Sequence, residues 1–586
     1  MTSFYRGWVP HLSFHNFRGD FFGGLTAAIV ALPLALAFGV ASGAGPSAGL
    51  YGAIAIGFLA ALFGGTPSQV SGPTGPMTVL MASVFTTLIA RNPDSGLALA
   101  FTVVVLGGLL QMAMGALRLG KYITLIPYTV ISGFMSGVGM IIILLQIGPL
   151  LGHGSAGGVV NALQRIPTWI TTLNPAAAIL GGLTLAIVFV VPPRLNRILP
   201  APLIALVVGT LISVAAFPDS ALPRIGEIPP GLPHLHWPQF TWVNLKDMLT
   251  YSIMLAVLGA LDSLLTSLVA DNLTHTQHDS DRELIGQGLG NCVSGLLGGL
   301  PGAGATMRTV INVQAGGRTS LSGIIHALVL AAIVFKAGSL TAPIPHAVLA
   351  GILIKVGVDI IDWSFLRRAH RLSLKATGLM YLVLLLTVFV DLITAVVVGV
   401  FIANLLTIKN ITDLQIQDMQ LATQPTEADW LSPVERSRLH AVQGRVLLFR
   451  LSGPMSFGAA KGIARRMGIV EDYEILILDF TSVPRLGITA LLAIETMIKD
   501  AWSKDRQVFV VGAHGQVEKR LHSLELMQRM PESHQVSDRL TALERSLQIL
   551  TPLVTEEDFR ARLAQMPLSC PLPGRRRRSP VLGRKR

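Results

Sequence analysis

Charge is scarce in this 586-residue chain: 13% of its residues are Asp, Glu, Lys or Arg, while 51% are hydrophobic. Soluble proteins carry roughly twice that charged share, so a wholly soluble reading is excluded. Cysteine is nearly absent. Cys292 and Cys570 stand far apart, which argues against a disulfide framework or a thiolate metal site. The opening residues, MTSFYRGWVPHLSFHNFRGD, lack the basic stretch and apolar core of a cleaved leader, and are expected to stay in place. Neither a nucleophile–base constellation nor a phosphate-cradling loop occurs. Gly302–Gly304 has no βαβ unit around it to make a dinucleotide fingerprint. An enzyme is not expected, nor an organic cofactor.

What the chain has in abundance is apolar runs. Phe21–Val40, Leu97–Leu117 and Tyr381–Val400 are examples, and a membrane helix needs about 20 such residues. Cutting at charged and Pro/Gly-rich breaks gives about fourteen segments between Phe21 and Ile408. A Pro-rich connection between Phe217 and Trp242 joins two halves. The composition then becomes that of a soluble protein. Arg445–Leu451, Glu474–Phe480 and Gln507–Val511 read as strands, each followed by helical spacing at Ala459–Met467, Thr489–Trp502 and Val517–Leu526. That alternation predicts a small α/β domain. The expected layout is an N-terminal segment (1–20), a transmembrane transporter domain (21–408), a linker (409–439), the α/β domain (440–550) and a basic tail (551–586).

A net charge of +12 suits nucleic acid, but its placement argues otherwise. Arg6 and Arg18, Arg118 and Lys121, Arg194 and Arg197, and Arg367, Arg368, Arg371 and Lys375 fall between apolar runs on alternate sides. This positive-inside bias predicts a multi-pass protein of the cell membrane with both termini cytoplasmic. The Arg575–Arg586 tail reads as a segment resting on anionic lipid, with a specific partner as the other reading.

Two breaks repeat. Phe63-Gly64-Gly65-Thr66-Pro67 closes one apolar segment and Leu297-Gly298-Gly299-Leu300-Pro301 closes another, seven segments later. An odd number of crossings inverts the second copy, and short interrupted segments at matching places mark a transporter's binding site. After each break, Ser71–Pro76 and Gly302–Thr306 precede a helix start. Such a start exposes unpaired N–H groups and a positive dipole end. Two facing starts would converge on one anion, with Thr74 and Thr306 adding hydroxyls.

Asp262 is the one charged residue between Met248 and Ala270, and a mid-membrane carboxylate marks an ion or proton pathway. Thr266, four residues on, shares its helix face. Together they offer hard oxygen ligands to a cation such as sodium. A proton relay and a hydrogen-bonded structural carboxyl are the other readings. Arg308 either strengthens the anion field or pairs with a carboxylate. Lys355 and Asp359, spaced i, i+4, read as a structural couple. His275, His278, Asp279 and Asp281 lack a recognised metal-ligand spacing.

These features resemble the SulP anion-transporter family. The resemblance is carried by Gly298–Pro301, Ala305–Thr309, Asn312, Ala315–Thr319 and Ser71–Pro76, and the soluble part is similar to a STAS domain. Within the family, Gly19-Asp20, Gly23–Ala28 and Ala31–Gly45 are most like the cyanobacterial BicA-type sodium-dependent bicarbonate transporters; sulfate-type members usually have Gln where this chain has Leu34. The resemblance implies a 7+7 inverted repeat with a core domain moving against a gate domain, and a homodimer through the STAS domain. It implies bicarbonate at Thr74 and Ala305, and sodium at Asp262, Thr266, Gly304 and Thr306. The resulting expectation is sodium-coupled bicarbonate uptake by alternating access. A proton-coupled or exchanging carrier of sulfate, chloride or a dicarboxylate is the alternative. The Asp-Ser-Ser-Gly usual in STAS domains stands here as Gly487-Ile488-Thr489-Ala490, which puts phosphoserine control in doubt, though Thr489 is a substitute.

Overall fold

A bilayer core offers no water to backbone N–H and C=O groups, so apolar runs that enter it fold as helices. The computed structural model describes residues 13–551 apart from 124–125, 193–194, 196–198, 219–221, 227–232, 338–340, 425, 427–428, 457, 459, 461, 464–471 and 524–525. Arg6, Arg194, Arg197 and the basic tail therefore lie outside the described residues, as does most of Ala459–Met467.

The first repeat comprises α1 (Phe17–Ser42), α2 (Pro46–Phe63), β1 (Ser71–Gly72), α3 (Gly75–Arg91) and α4 (Gly96–Ala116). A single turn α5 (Gly120–Ile123) leads to α6 (Tyr128–Leu150), α7 (Val159–Thr171), α8 (Pro175–Val190) and α9 (Ala201–Ala216). The second repeat runs through α10 (Leu245–Thr274), α11 (Ser280–Leu296), β2 (Ala303–Gly304), α12 (Thr306–Gln314) and α13 (Ser320–Ala337). It closes with α14 (His346–Ile360), α15 (Trp363–Leu372), α16 (Leu374–Phe389) and α17 (Leu392–Asp418).

By length and composition, α1, α2, α4, α6, α10 and the Thr394–Asp418 part of α17 can each cross a bilayer. The pair α7–α8 is bent by 114°, and α3, α9 and α16 are shorter apolar helices. A count of about fourteen segments is consistent with these elements. Helix α7 is not legible as an apolar run in the sequence, because Asn161, Gln164 and Arg165 interrupt its apolar residues. Helices α1–α4 associate with α10–α13 as one group. Helices α6, α8, α9, α14 and α16 form a second group, and α1 touches both. These are the core and gate groups.

The chain divides into two compact units at Ala403/Asn404. The second contains β3 (Gln420–Ala422), α18 (Pro433–Ala441), β4 (Val446–Ser452), β5 (Ile475–Ser482) and α19 (Ile488–Ser503). After these come β6 (Gln507–Val511), α20 (Gly515–Ser523), β7 (Gln535–Val536) and α21 (Arg539–Leu550). The five strands lie in the order β3-β4-β5-β6-β7, with β3 antiparallel and the rest parallel. Leu476 and Leu478 face one core with Ile494 and Ile498 of α19. Ile475 and Ile477 face the other with Leu439 of α18 and Leu543 of α21. Burial on both faces is why β5 reads as an unbroken apolar run.

Much of the stretch 409–439, expected as a linker, is built into elements. Helix α17 continues to Asp418, β3 pairs with β4, and Ser432 and Glu435 close a capping box on α18. A three-residue strand and a nine-residue polar helix carry too little periodicity to be seen in sequence.

Arg539 ties this unit together: its Nε donates to Glu435 Oε1 at 2.9 Å and its Nη1 to Asp479 Oδ2 at 3.1 Å. Burial works to raise the Glu435 pKa, but hydrogen bonds from Arg539 and Ser432 outweigh it and hold the carboxyl below its ordinary value. A depressed folded-state pKa contributes stability above the unfolded value, near about 4.3, and loses it as pH falls. Asp479 is wholly buried, so Arg539→Met should destabilise the domain by about 3 kcal/mol at neutral pH. The variant should also lose less on acidification than the wild type. Hydrogen exchange at Ile475–Ser482 in the full chain measures both, and equal acid sensitivity would exclude Glu435 as the titrating group.

Candidate ion-binding site

The two Gly/Pro breaks meet at the centre of the core group. Ser71 pairs with Gly304 and Gly72 with Ala303 in an antiparallel two-stranded crossing. Such backbone is tolerated at membrane depth where protein satisfies it. Helices α3 and α12 begin immediately after, at N-cap residues Thr74 and Ala305, neither of which caps its helix with a side chain. The first-turn amides of Gly75 and Met77 in α3, and of Thr306, Met307 and Arg308 in α12, have no intrahelical acceptor. Pro76 contributes no N–H and fits a helix start.

The resemblance places bicarbonate at Ala305, which has only its backbone amide to offer an anion. That N–H is already given to Val70 O at 2.9 Å, extending the strand pairing by one residue. The donors free to meet an anion in α12 therefore begin at Thr306.

Helix α10 supplies the other wall. Its Ser263 Oγ accepts from Gly304 N at 3.1 Å, and its Thr266 Oγ1 donates to Gly304 O at 3.0 Å. Thr266 Oγ1 also lies 2.8 Å from Thr306 Oγ1. Asp262, one turn before Thr266, is 8% exposed. Its Oδ2 is buried without a hydrogen-bond partner, as is Thr74 Oγ1. The two face each other outside hydrogen-bond geometry. All six residues picked out in the sequence are thus brought to one place by α10, the crossing and the two helix starts. Oxygens from Asp262, Thr266, Gly304 and Thr306 form a hard-ligand set suited to a small cation, and the orphaned carboxylate oxygen is a lone pair without a donor.

Arg308 is buried, and its Nη2 donates to Pro73 O at 2.5 Å. It makes no ion pair among the described residues, but its guanidinium lies within electrostatic reach of Asp262. It therefore ties one helix start to the other while keeping its charge beside the site. The loop of His275, His278, Asp279 and Asp281 is structural: Asp279 caps α11, His278 bonds Asp271, and Asp281 accepts from Gly120 N. No group of three metal-ligating side chains occurs among the described residues.

One support was invisible in sequence. Glu283 of α11 accepts from Gly65 N and Thr66 N, both at 2.9 Å, and from Gln69 Nε2 and Gln287 Nε2, both at 2.8 Å. This buried carboxylate holds the first break in shape from the other repeat. Glu283→Ala strands four donors, so it should cost about 3 kcal/mol or more. Thermal melting of the solubilised protein checks this; a melting temperature equal to wild type would sink it.

The comparisons with known proteins agree with this architecture. The sulfate permease family model matches residues 17–385 and the STAS domain model residues 440–539. The chain is 53% identical over 541 residues to the bicarbonate transporter BicA of Picosynechococcus, covering 92% of this chain and 96% of that one. It is similar to the solved transmembrane domain of a cyanobacterial BicA, with 54% identity and a TM-score of 0.62, over 66% of this chain and 98% of that one. The solved structure of SLC26A9 shares the fold at 19% identity, with a TM-score of 0.78 over 95% of each chain. The chain belongs to the sulfate permease (SulP) family of membrane transporters, which are not enzymes, and carries that family's STAS domain after its membrane helices.

Proposed function

We propose that the chain is a sodium-coupled bicarbonate transporter working by alternating access. The observation that carries this reading is the unpartnered Asp262 carboxylate oxygen, one helical turn before Thr266, whose hydroxyl clusters with the oxygens of Gly304 and Thr306 at the start of α12. Sodium at Asp262, Thr266, Gly304 and Thr306 would neutralise the carboxylate and fix the start of α12. Bicarbonate would then bind near Thr74 and Ala305, between positive helix ends. The name of the BicA relative supports the substrate. By linkage, sodium and bicarbonate must raise each other's affinity equally.

The test is uptake of labelled bicarbonate into proteoliposomes holding the full chain. Uptake should rise with a sodium gradient and not with a proton gradient alone; a proton gradient sufficing without sodium would install the alternative coupling. The positive-inside placement of Arg18, Arg118, Lys121 and Arg367–Arg371 supports cytoplasmic termini. In cell-derived vesicles, a protease should then reach the STAS domain only when the membrane is inverted. Assembly as a homodimer through that domain is read from the family, and light scattering that returns a single-chain mass would exclude it.

A further inference from the structure

Between the core and gate groups lies a cavity of about 670 Å³. Core residues Met307 and Gln314 of α12 line one side, and Lys355 and Asp359 of α14 line the other. Met307, in the first turn of α12 and one residue beyond Thr306, lines the cavity and is 57% exposed. Among the described residues lining it, Lys355 and Asp359 are the charged ones; the rest are apolar or neutral. Lys355 Nζ donates to both oxygens of Asp359 and sits 5.5 Å from the centre of the Phe189 ring. The side chains are 24% and 34% exposed.

A helical i, i+4 pair contributes only about 0.2–0.5 kcal/mol, too little to explain a lone ion pair among the uncharged residues that line a cavity between the core and gate groups. Its chemistry fits a task. Lysine offers three donors and no acceptor, aspartate several acceptors and no donor. Bicarbonate has both kinds of group: delocalised anionic oxygens and one O–H. Sulfate and nitrate at neutral pH have acceptors alone. Against this pair, bicarbonate can take a hydrogen bond from Lys355 and give one to Asp359. Sulfate can use only the lysine, and it meets the aspartate as an unrelieved like charge. Discrimination of this kind rests as much on the repelled competitor as on the accepted ligand.

We propose that Lys355 and Asp359 form a staging site that selects bicarbonate over anions lacking an O–H, on the gate side of the cavity. This deepens, and rests on, the bicarbonate reading above. The experiment uses the full chain in proteoliposomes, with labelled bicarbonate uptake driven by sodium and unlabelled sulfate as competitor. In Asp359→Asn, sulfate should inhibit at about tenfold lower concentration than in wild type, and Asp359→Glu should retain wild-type discrimination. Lys355→Gln should raise half-saturation by bicarbonate about tenfold without strengthening sulfate. If Asp359→Asn does not yield monodisperse protein, the Glu and Gln variants still decide. Wild-type bicarbonate uptake with inhibition and half-saturation unchanged within about twofold across the variants overturns the staging site alone. Wild-type vesicles that take up no bicarbonate overturn the functional reading, and this one with it.

Discussion

Asp262→Asn should abolish the stimulation of bicarbonate uptake by sodium while leaving a folded protein in the membrane. Asparagine keeps the shape of the side chain but cannot balance a cation. Asp262 Oδ2 has no hydrogen-bond partner to lose, and asparagine fills the same volume, so the change leaves the surrounding packing in place. Sodium affinity should fall by at least about tenfold, or about 1.4 kcal/mol, and bicarbonate affinity measured in sodium should fall with it through linkage. Sodium titrations of melting temperature, with and without bicarbonate, give both quantities on solubilised protein. A variant that keeps the wild-type sodium response would remove Asp262 from the coupling mechanism. The same series would then test whether the oxygens of Thr266 and Thr306 suffice by themselves.

Gly302→Ala should be more damaging, and for a different reason. A Cβ at this position would fall 2.2 Å from Gly72 O and 2.3 Å from Gly72 C, both backbone atoms of the opposing strand. Nor can Gly302 move away, because Asn291 grips it on both sides: Gly302 N donates to Asn291 Oδ1 at 2.8 Å and Asn291 Nδ2 donates to Gly302 O at 3.0 Å. The strands β1 and β2 must part, and overpacking of this kind costs about 3 kcal/mol. Because that crossing aims both helix starts, sodium and bicarbonate responses should be lost together. Asp262→Asn, by contrast, should retain residual sodium-independent anion binding. A Gly302→Ala protein with wild-type melting temperature and wild-type ion responses would mean that the crossing is not what positions the site.

Sequence alone determined the membrane domain, the doubled break and the shared helix face of Asp262 and Thr266. These follow from local rules: apolar length sets a spanning helix, Gly and Pro interrupt it, and four-residue spacing puts Asp262 and Thr266 on one face. The three central strands of the soluble domain were legible for the same kind of reason, since burial on both faces leaves an apolar run. The substrate came from family likeness, not from any residue's chemistry. Pairings across the repeats were decided by the tertiary structure. Glu283 reaches Gly65, Thr66 and Gln69 from more than two hundred positions away, and Arg308 finds Pro73 O across a similar gap. No periodicity reports a contact at that separation. The Ala305 amide shows the limit most directly: a helix start predicts a free N–H, yet the strand crossing had already engaged it with Val70 O. Lys355 and Asp359 read as an ordinary helical couple in sequence, and only the packing of α14 across from α12 turned them toward a cavity. Local chemistry is written in neighbouring residues, whereas the partners of a buried polar group are set by which segments the fold brings together.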